Sequence, residues 1–214
     1  MKIKVDSLER KIHWDNIYSK KQPAGVSWHQ DVPVTSLSFI KELSIPLNAK
    51  IMDCGGGDSN FVDNLLDIGF EDITVLDISE QALMNAKQRL GDKAGNVKWV
   101  NADEAYCKPC NELDFWHDRA SFHFLTDDNE IDNYIRTAGC CVKPGGYLVI
   151  GTFSESGPEK CSGIEVKRYS ESSMAEKFSK YFEKIKCITV DHITPFNTVQ
   201  NFIFCSFRRR DSIN

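Results

Sequence analysis

The sequence predicts an open α/β domain: a doubly wound sheet of seven strands, mostly parallel, with a C-terminal antiparallel β-hairpin. Three observations predict it. From residue 36 onward, short apolar runs alternate with segments whose apolar residues recur three and four apart, the pattern of strands joined by crossover helices. The first such run, Lys50–Cys54, leads straight into Gly55-Gly56-Gly57, so the sheet opens with a strand, a bare turn and a helix. The last two runs alternate residue by residue with only the turn TPFNT between them, which is a hairpin and leaves no room for a helix.

Val34, Leu37, Ile40 and Leu43 recur at helical spacing, and Pro46 ends that helix. Lys50–Cys54 is the first strand. Phe61, Val62, Leu65 and Leu66 form one helical face, closed by Gly69 at the C-cap. Residues 73–77, ITVLD, are the second strand. Ser79 caps a helix carrying Ala82, Leu83, Ala86 and Leu90, and Gly91 stops it. Residues 97–100 and 113–117 (LDFWH) are the third and fourth strands. Asp127 and Glu130 have capping-box spacing and open a helix with Ile131, Tyr134, Ile135 and Ala138. Lys143-Pro-Gly-Gly predicts a tight turn before the fifth strand, residues 147–153, and a helix over 171–180 follows. The hairpin strands begin near Ile185 and at Val199. Residues 1–35 read as an N-terminal arm, 36–210 as the domain and 211–214 as a tail.

The net charge of -5 and pI of about 5.6 disfavour binding to bare phosphate backbone. The basic run Arg208-Arg209-Arg210 reads as a solubilising tail. No apolar run approaches the roughly 18–20 residues that cross a bilayer, and MKIKVDSLERK is too charged for a secretory signal. A cytoplasmic protein is expected, and its eight cysteines are expected as thiols rather than bridges. Cys107 and Cys110 form a C-x-x-C, but no second pair has zinc-ligand spacing, so no metal site is expected.

The glycine turn gains meaning from the acids around it. Ligands of such sheets lie beyond the carboxyl ends of the strands, where glycines let the backbone approach closely. Asp77 ends the second strand 24 positions after Asp53, where an acid can accept from ribose hydroxyls. Asp103 follows the third strand, and a carboxylate there can accept from an exocyclic amine. Three acids around a bare turn suit a nucleoside with little or no phosphate. Asp53 and Asp58 would repel a phosphate, whereas Asp53 can support an amino-acid ammonium.

On these residues the chain resembles the class I S-adenosylmethionine-dependent methyltransferases, over about residues 36–207. The matching stretches are IMDCGGGDS, TVLDIS, VNADEA, LDFWHDRA and VKPGGYLVIGTF. Ser59 stands where the family's first motif has its last glycine, at a helix start where serine caps well. The resemblance implies a Rossmann-like fold, S-adenosyl-L-methionine as cofactor and S-adenosyl-L-homocysteine as product. It implies that Asp53 and the backbone of Cys54, Gly55, Gly56 and Gly57 hold the methionyl part, with Ser59 beside them. Asp77 would hold the ribose, Ile78 pack on adenine, and Asp103 read the adenine amine beside Ala102 and Glu104. His117 would lie by the methionyl part or the acceptor. Trp14, Tyr18 and Trp28 would either cover the cofactor or pack the arm onto the domain.

The acceptor is less legible, because an activated methyl demands little acid–base equipment. His117 and Asp118 are the candidate catalytic residues. His123, Cys161 and His192 are further candidates, and Asp118 with Arg119 can form an ion pair that shapes the pocket. A small-molecule acceptor is the first expectation, because the chain carries no added recognition domain. A protein lysine is the alternative, since the W-x-x-x-Y opening and acidic balance look similar to small lysine methyltransferases. Against it, the acid-lysine-glycine step of those enzymes reads His-Asp-Arg here. Nucleic acid is disfavoured by the absence of N-P-P-Y or D-P-P-Y. A non-catalytic scaffold has no need of Asp53, Asp77 and Asp103. A monomer is expected.

Overall fold

The computed structural model describes residues 7–20, 25–106 and 112–211. In chain order the elements are α1 (Ser7–Lys20), α2 (Val34–Glu42), β1 (Lys50–Cys54), α3 (Phe61–Ile68), β2 (Asp72–Asp77), α4 (Glu80–Leu90), β3 (Val97–Asn101) and β4 (Leu113–Arg119). Then follow α5 (Asp128–Cys141), β5 (Val142–Phe153), a small pair β6 (Lys160–Cys161) and β7 (Ile164–Glu165), α6 (Glu171–Phe178), β8 (Phe182–Ile193) and β9 (Val199–Arg209). Seven strands make one sheet in the order β3-β2-β1-β4-β5-β9-β8. The first five run parallel, and β9 lies antiparallel to both β5 and β8. The order reverses between β1 and β4, which makes the switch point where open sheets bind ligands.

Alternation along each strand divides the core into two layers. On β1 and β4, Ile51 and Phe115 face a layer that α2 and α3 complete with Phe39, Phe61 and Leu65. Met52, Cys54 and Trp116 face the other layer, filled by Tyr134 of α5 and Phe178 of α6. The local signals form as expected at two helix ends. Ser79 accepts from the Ala82 N–H as N-cap of α4, and Gly69 closes α3 in the left-handed conformation.

Three expectations are corrected. Asp127 caps α5 by accepting from the Asn129 N–H, but Glu130 does not complete a capping box: its carboxylate accepts from Arg10 of α1. Lys143 to Gly146 lie inside β5, where its register against β4 shifts between Leu113 and Phe115, rather than in a separate turn. Cys187 and Cys205 are directly opposed on β8 and β9 with Cα atoms 4.1 Å apart, and they are joined as a disulfide rather than standing as thiols. The cross-strand register itself brings the two sulfurs to one face. Cys54, Cys140, Cys141 and Cys161 are outside any bridge, while Cys107 and Cys110 lie outside the described residues. Finally, α1 and the β6–β7 pair have no counterpart in the periodicity, since neither carries a regular apolar face.

No helix among the described residues is long and apolar enough to cross a membrane. No cluster of metal-ligating side chains occurs among them either.

Candidate active site

Beyond the carboxyl ends of β1, β2 and β4 lies a cleft of about 820 Å³, its open mouth included. Its floor is the glycine turn. Gly55 has φ of +65°, and a Cβ on it would stand 2.1 Å from Cβ of Ser121. A Cβ on Gly56 would meet the Asp53 carboxylate at 2.6 Å. The turn is therefore bare because Ser121 and Asp53 already stand where side chains would go.

Asp53 and His117 are register partners on β1 and β4. His117 Nδ1 is 2.8 Å from Asp53 Oδ1, and Nε2 is 2.9 Å from Ser36 Oγ. Both ring nitrogens are thus engaged, and the ring stacks obliquely on Phe61 with centroids 4.2 Å apart. His117 borders the cleft as a buried bridge rather than as a free base. Asp77 ends β2 and accepts from the Ser79 N–H at 2.7 Å and from the Gly57 N–H. Ile78 and Ser59 complete this side of the wall.

The roof comes from the N-terminal arm. Trp14 and Tyr18 of α1 and Trp28 of the following strap line the cleft with Phe124. Trp14 packs edge-on against Trp28 and Phe124, at centroid distances of 5.7 and 4.8 Å. These rings line the cleft and pack the arm onto the domain. Arg10 fastens the helix: it donates to Asp103 at 2.8 Å and to both oxygens of Glu130 at 2.9 Å. Ser7 donates to Asp103 at 2.6 Å, and Asp15 accepts from Ser79 Oγ at 2.7 Å.

That fastening displaces one expected residue. Asp103 is occupied by Arg10, Ser7 and the Ala105 N–H, and the acid that borders the cleft after β3 is its neighbour Glu104. Cys54 and Ala102 also sit behind the wall, packed into the core layer of α5. Asp118 is displaced more completely. It follows His117 on a strand, so it points to the opposite face, where it accepts from the N–H groups of Ser121 and Phe122 and from Tyr134 Oη. It forms no ion pair with Arg119, and it holds the turn after β4 instead of facing the acceptor. His123 is fully buried, accepts from the Phe153 N–H, and is pushed down to about 3 by burial and then by Arg119. His192 donates to the Ser27 carbonyl at 2.7 Å. Cys161 does border the cleft. Sequence reading missed Arg10, Ser36 and Ser121, none of which stands in a motif.

Burial pushes Asp77, Glu104 and Asp118 up to about 7 each; the charge of Asp103 adds to the effect on Glu104. Such carboxyls ionise near 4 in the unfolded chain, so between about pH 4 and 7 the folded state holds the extra protons. Stability is then full below the lower value and is lost as pH rises through the upper one. The thermal midpoint of the ligand-free protein is expected to fall from pH 5 to pH 8 at constant ionic strength. A flat or rising midpoint would show that these carboxyls ionise freely in the fold.

The fold is the one that class I methyltransferases share. Residues 51–146 match a family described as "Methyltransferase domain". EEF1A lysine methyltransferase 2 of Homo sapiens is 25% identical over 162 residues, which are 67% of this chain and 67% of that protein. The eEF1A lysine and N-terminal methyltransferase of Mus musculus is 23% identical over 146 residues, 64% of this chain. The match spans about a fifth of that mouse protein, 21% of its length. Among solved structures, the 1,6-didemethyltoxoflavin-N1-methyltransferase of Burkholderia thailandensis, with bound 1,6-didemethyltoxoflavin and S-adenosylhomocysteine, superposes with a TM-score of 0.71. It is 16% identical, and the superposition covers 99% of this chain and 93% of that one.

Proposed function

We propose that the protein transfers a methyl group from S-adenosylmethionine to a small-molecule acceptor. The observation that carries this reading is the aromatic roof: Trp14, Trp28 and Phe124 meet over the cleft, so an acceptor must fit beneath them. The cleft fits the cofactor by its own features. Gly55 and Gly56 present bare backbone to the cleft, and Asp53, Asp77 and Glu104 offer acceptors for an ammonium, ribose hydroxyls and an adenine amine in that order. Asp103 supports from behind, through Arg10. When bound, the sulfonium supplies an activated methyl group, so the chain has to position the acceptor in line and exclude water. His117 orients Asp53, and the roof excludes water.

A protein-lysine acceptor is the second reading, favoured by the similarity to EEF1A lysine methyltransferase 2 over two thirds of both chains. Incubation with methyl-labelled cofactor and a cell extract separates the two. Label is expected in the acid-soluble fraction and not with heat-killed enzyme. Label in one protein band would replace the small-molecule reading with the lysine reading.

A further inference from the structure

Among the described residues the two buried arginines are ion-paired or hydrogen-bonded, whereas the half-buried Arg119 keeps an unpaired donor. Arg10 is held by Asp103 and Glu130, and Arg209 donates to the carbonyls of Gly139, Tyr181 and Arg210. Arg119 forms no ion pair among the described residues. Its Nη1 donates to the Trp28 carbonyl at 2.9 Å and its guanidinium lies 5.3 Å from the Phe202 ring centre. Its Nη2 is buried with no partner. An unsatisfied donor on a charged group is costlier than on a neutral one, and a bound anion would satisfy it.

Arg119 stands two residues beyond His117 on β4, on the same face as Asp53. It borders both the main cleft and an adjoining depression that also touches Trp28 and Ser59. Burial pushes Arg119 down to about 10, so it stays charged at neutral pH. A carboxylate and a guanidinium thus flank one end of the cleft. That pairing complements a zwitterionic amino-acid group, and the guanidinium fork matches a carboxylate geometrically.

We infer that Arg119 is a carboxylate-binding residue, which receives the carboxylate of a ligand in the cleft through Nη2. The carboxylate belongs either to the methionyl part of the cofactor or to the acceptor; the chemistry is the same. The inference rests on the methyltransferase reading and assigns the polarity of that site: the ligand end near β4 is anionic.

The test compares wild type, Arg119→Met and Arg119→Lys by calorimetry with S-adenosylhomocysteine and with 5′-methylthioadenosine, which lacks the amino-acid part. Loss of one charge-assisted contact should weaken S-adenosylhomocysteine binding by about ten- to hundredfold in the Met variant, leaving methylthioadenosine unchanged. That result would place the cofactor's carboxylate on Arg119. In the second arm, succinate is titrated into protein saturated with S-adenosylhomocysteine and followed by tryptophan fluorescence. A saturable change in wild type that the Met variant loses, with equal nucleoside affinities, would place an acceptor carboxylate there. If the Met variant does not fold, the Lys variant is read in the same two arms, with a smaller loss expected. Equal loss of both nucleosides, or no difference in either arm, would overturn the inference and leave Arg119 as a staple for the strap. Failure of the wild type to bind either nucleoside would overturn the cofactor reading along with it.

Discussion

Gly55→Ala is expected to abolish S-adenosylhomocysteine binding and to destabilise the fold by about 2–4 kcal/mol. Two costs combine. The residue sits at φ +65°, which an alanine adopts only with strain, and its new Cβ would stand 2.1 Å from Cβ of Ser121. Ser121 cannot retreat easily, because its N–H and that of Phe122 are both held by buried Asp118. Relief must therefore come from moving the glycine turn itself, which is the proposed cofactor cradle. Gly95→Ala is the control: its Cβ meets nothing within 4 Å, so a change under about 0.5 kcal/mol is expected. Urea unfolding and calorimetry measure both effects. Wild-type affinity in Gly55→Ala would mean that the cofactor does not lie on this turn.

Asp118→Ala should cost about 3–5 kcal/mol in urea unfolding, since three buried donors lose their acceptor at once: the N–H groups of Ser121 and Phe122 and the Tyr134 hydroxyl. Asp118→Asn keeps one oxygen and should recover part of that loss. A catalytic carboxylate would behave differently. It would leave stability near wild type when removed and reduce turnover alone, and that outcome would return Asp118 to the catalytic site.

Asp118 also shows what was legible in the sequence. The strand 113–117 was readable from its apolar run, and with it the position of His117 at the carboxyl end. A strand sends neighbouring side chains to opposite faces, so His117 and Asp118 cannot both face one cleft. The period-2 rule was available, but pairing the two by adjacency ignored it. Helices α2, α3 and α4 were readable because each carries an apolar face and a stop signal. Helix α1 was not, because polar contacts hold it: a single arginine reaches two carboxylates 93 and 120 residues away. No local pattern encodes such a contact. The same contact explains why Asp103 and Glu104 exchange places at the cleft wall. The Cys187–Cys205 bridge follows from hairpin register, which depends on the exact alignment of two strands rather than on either strand's composition.

The Arg10 fastening also bears on timing. Trp14 and Tyr18 ride on the helix that Arg10 ties down, so the roof of the cleft stays in place only while that helix does. Lifting it parts Arg10 from two carboxylates that are themselves nearly shut off from water. The shape of the cleft is therefore held by an N-terminal tether, remote in sequence from every motif that lines it.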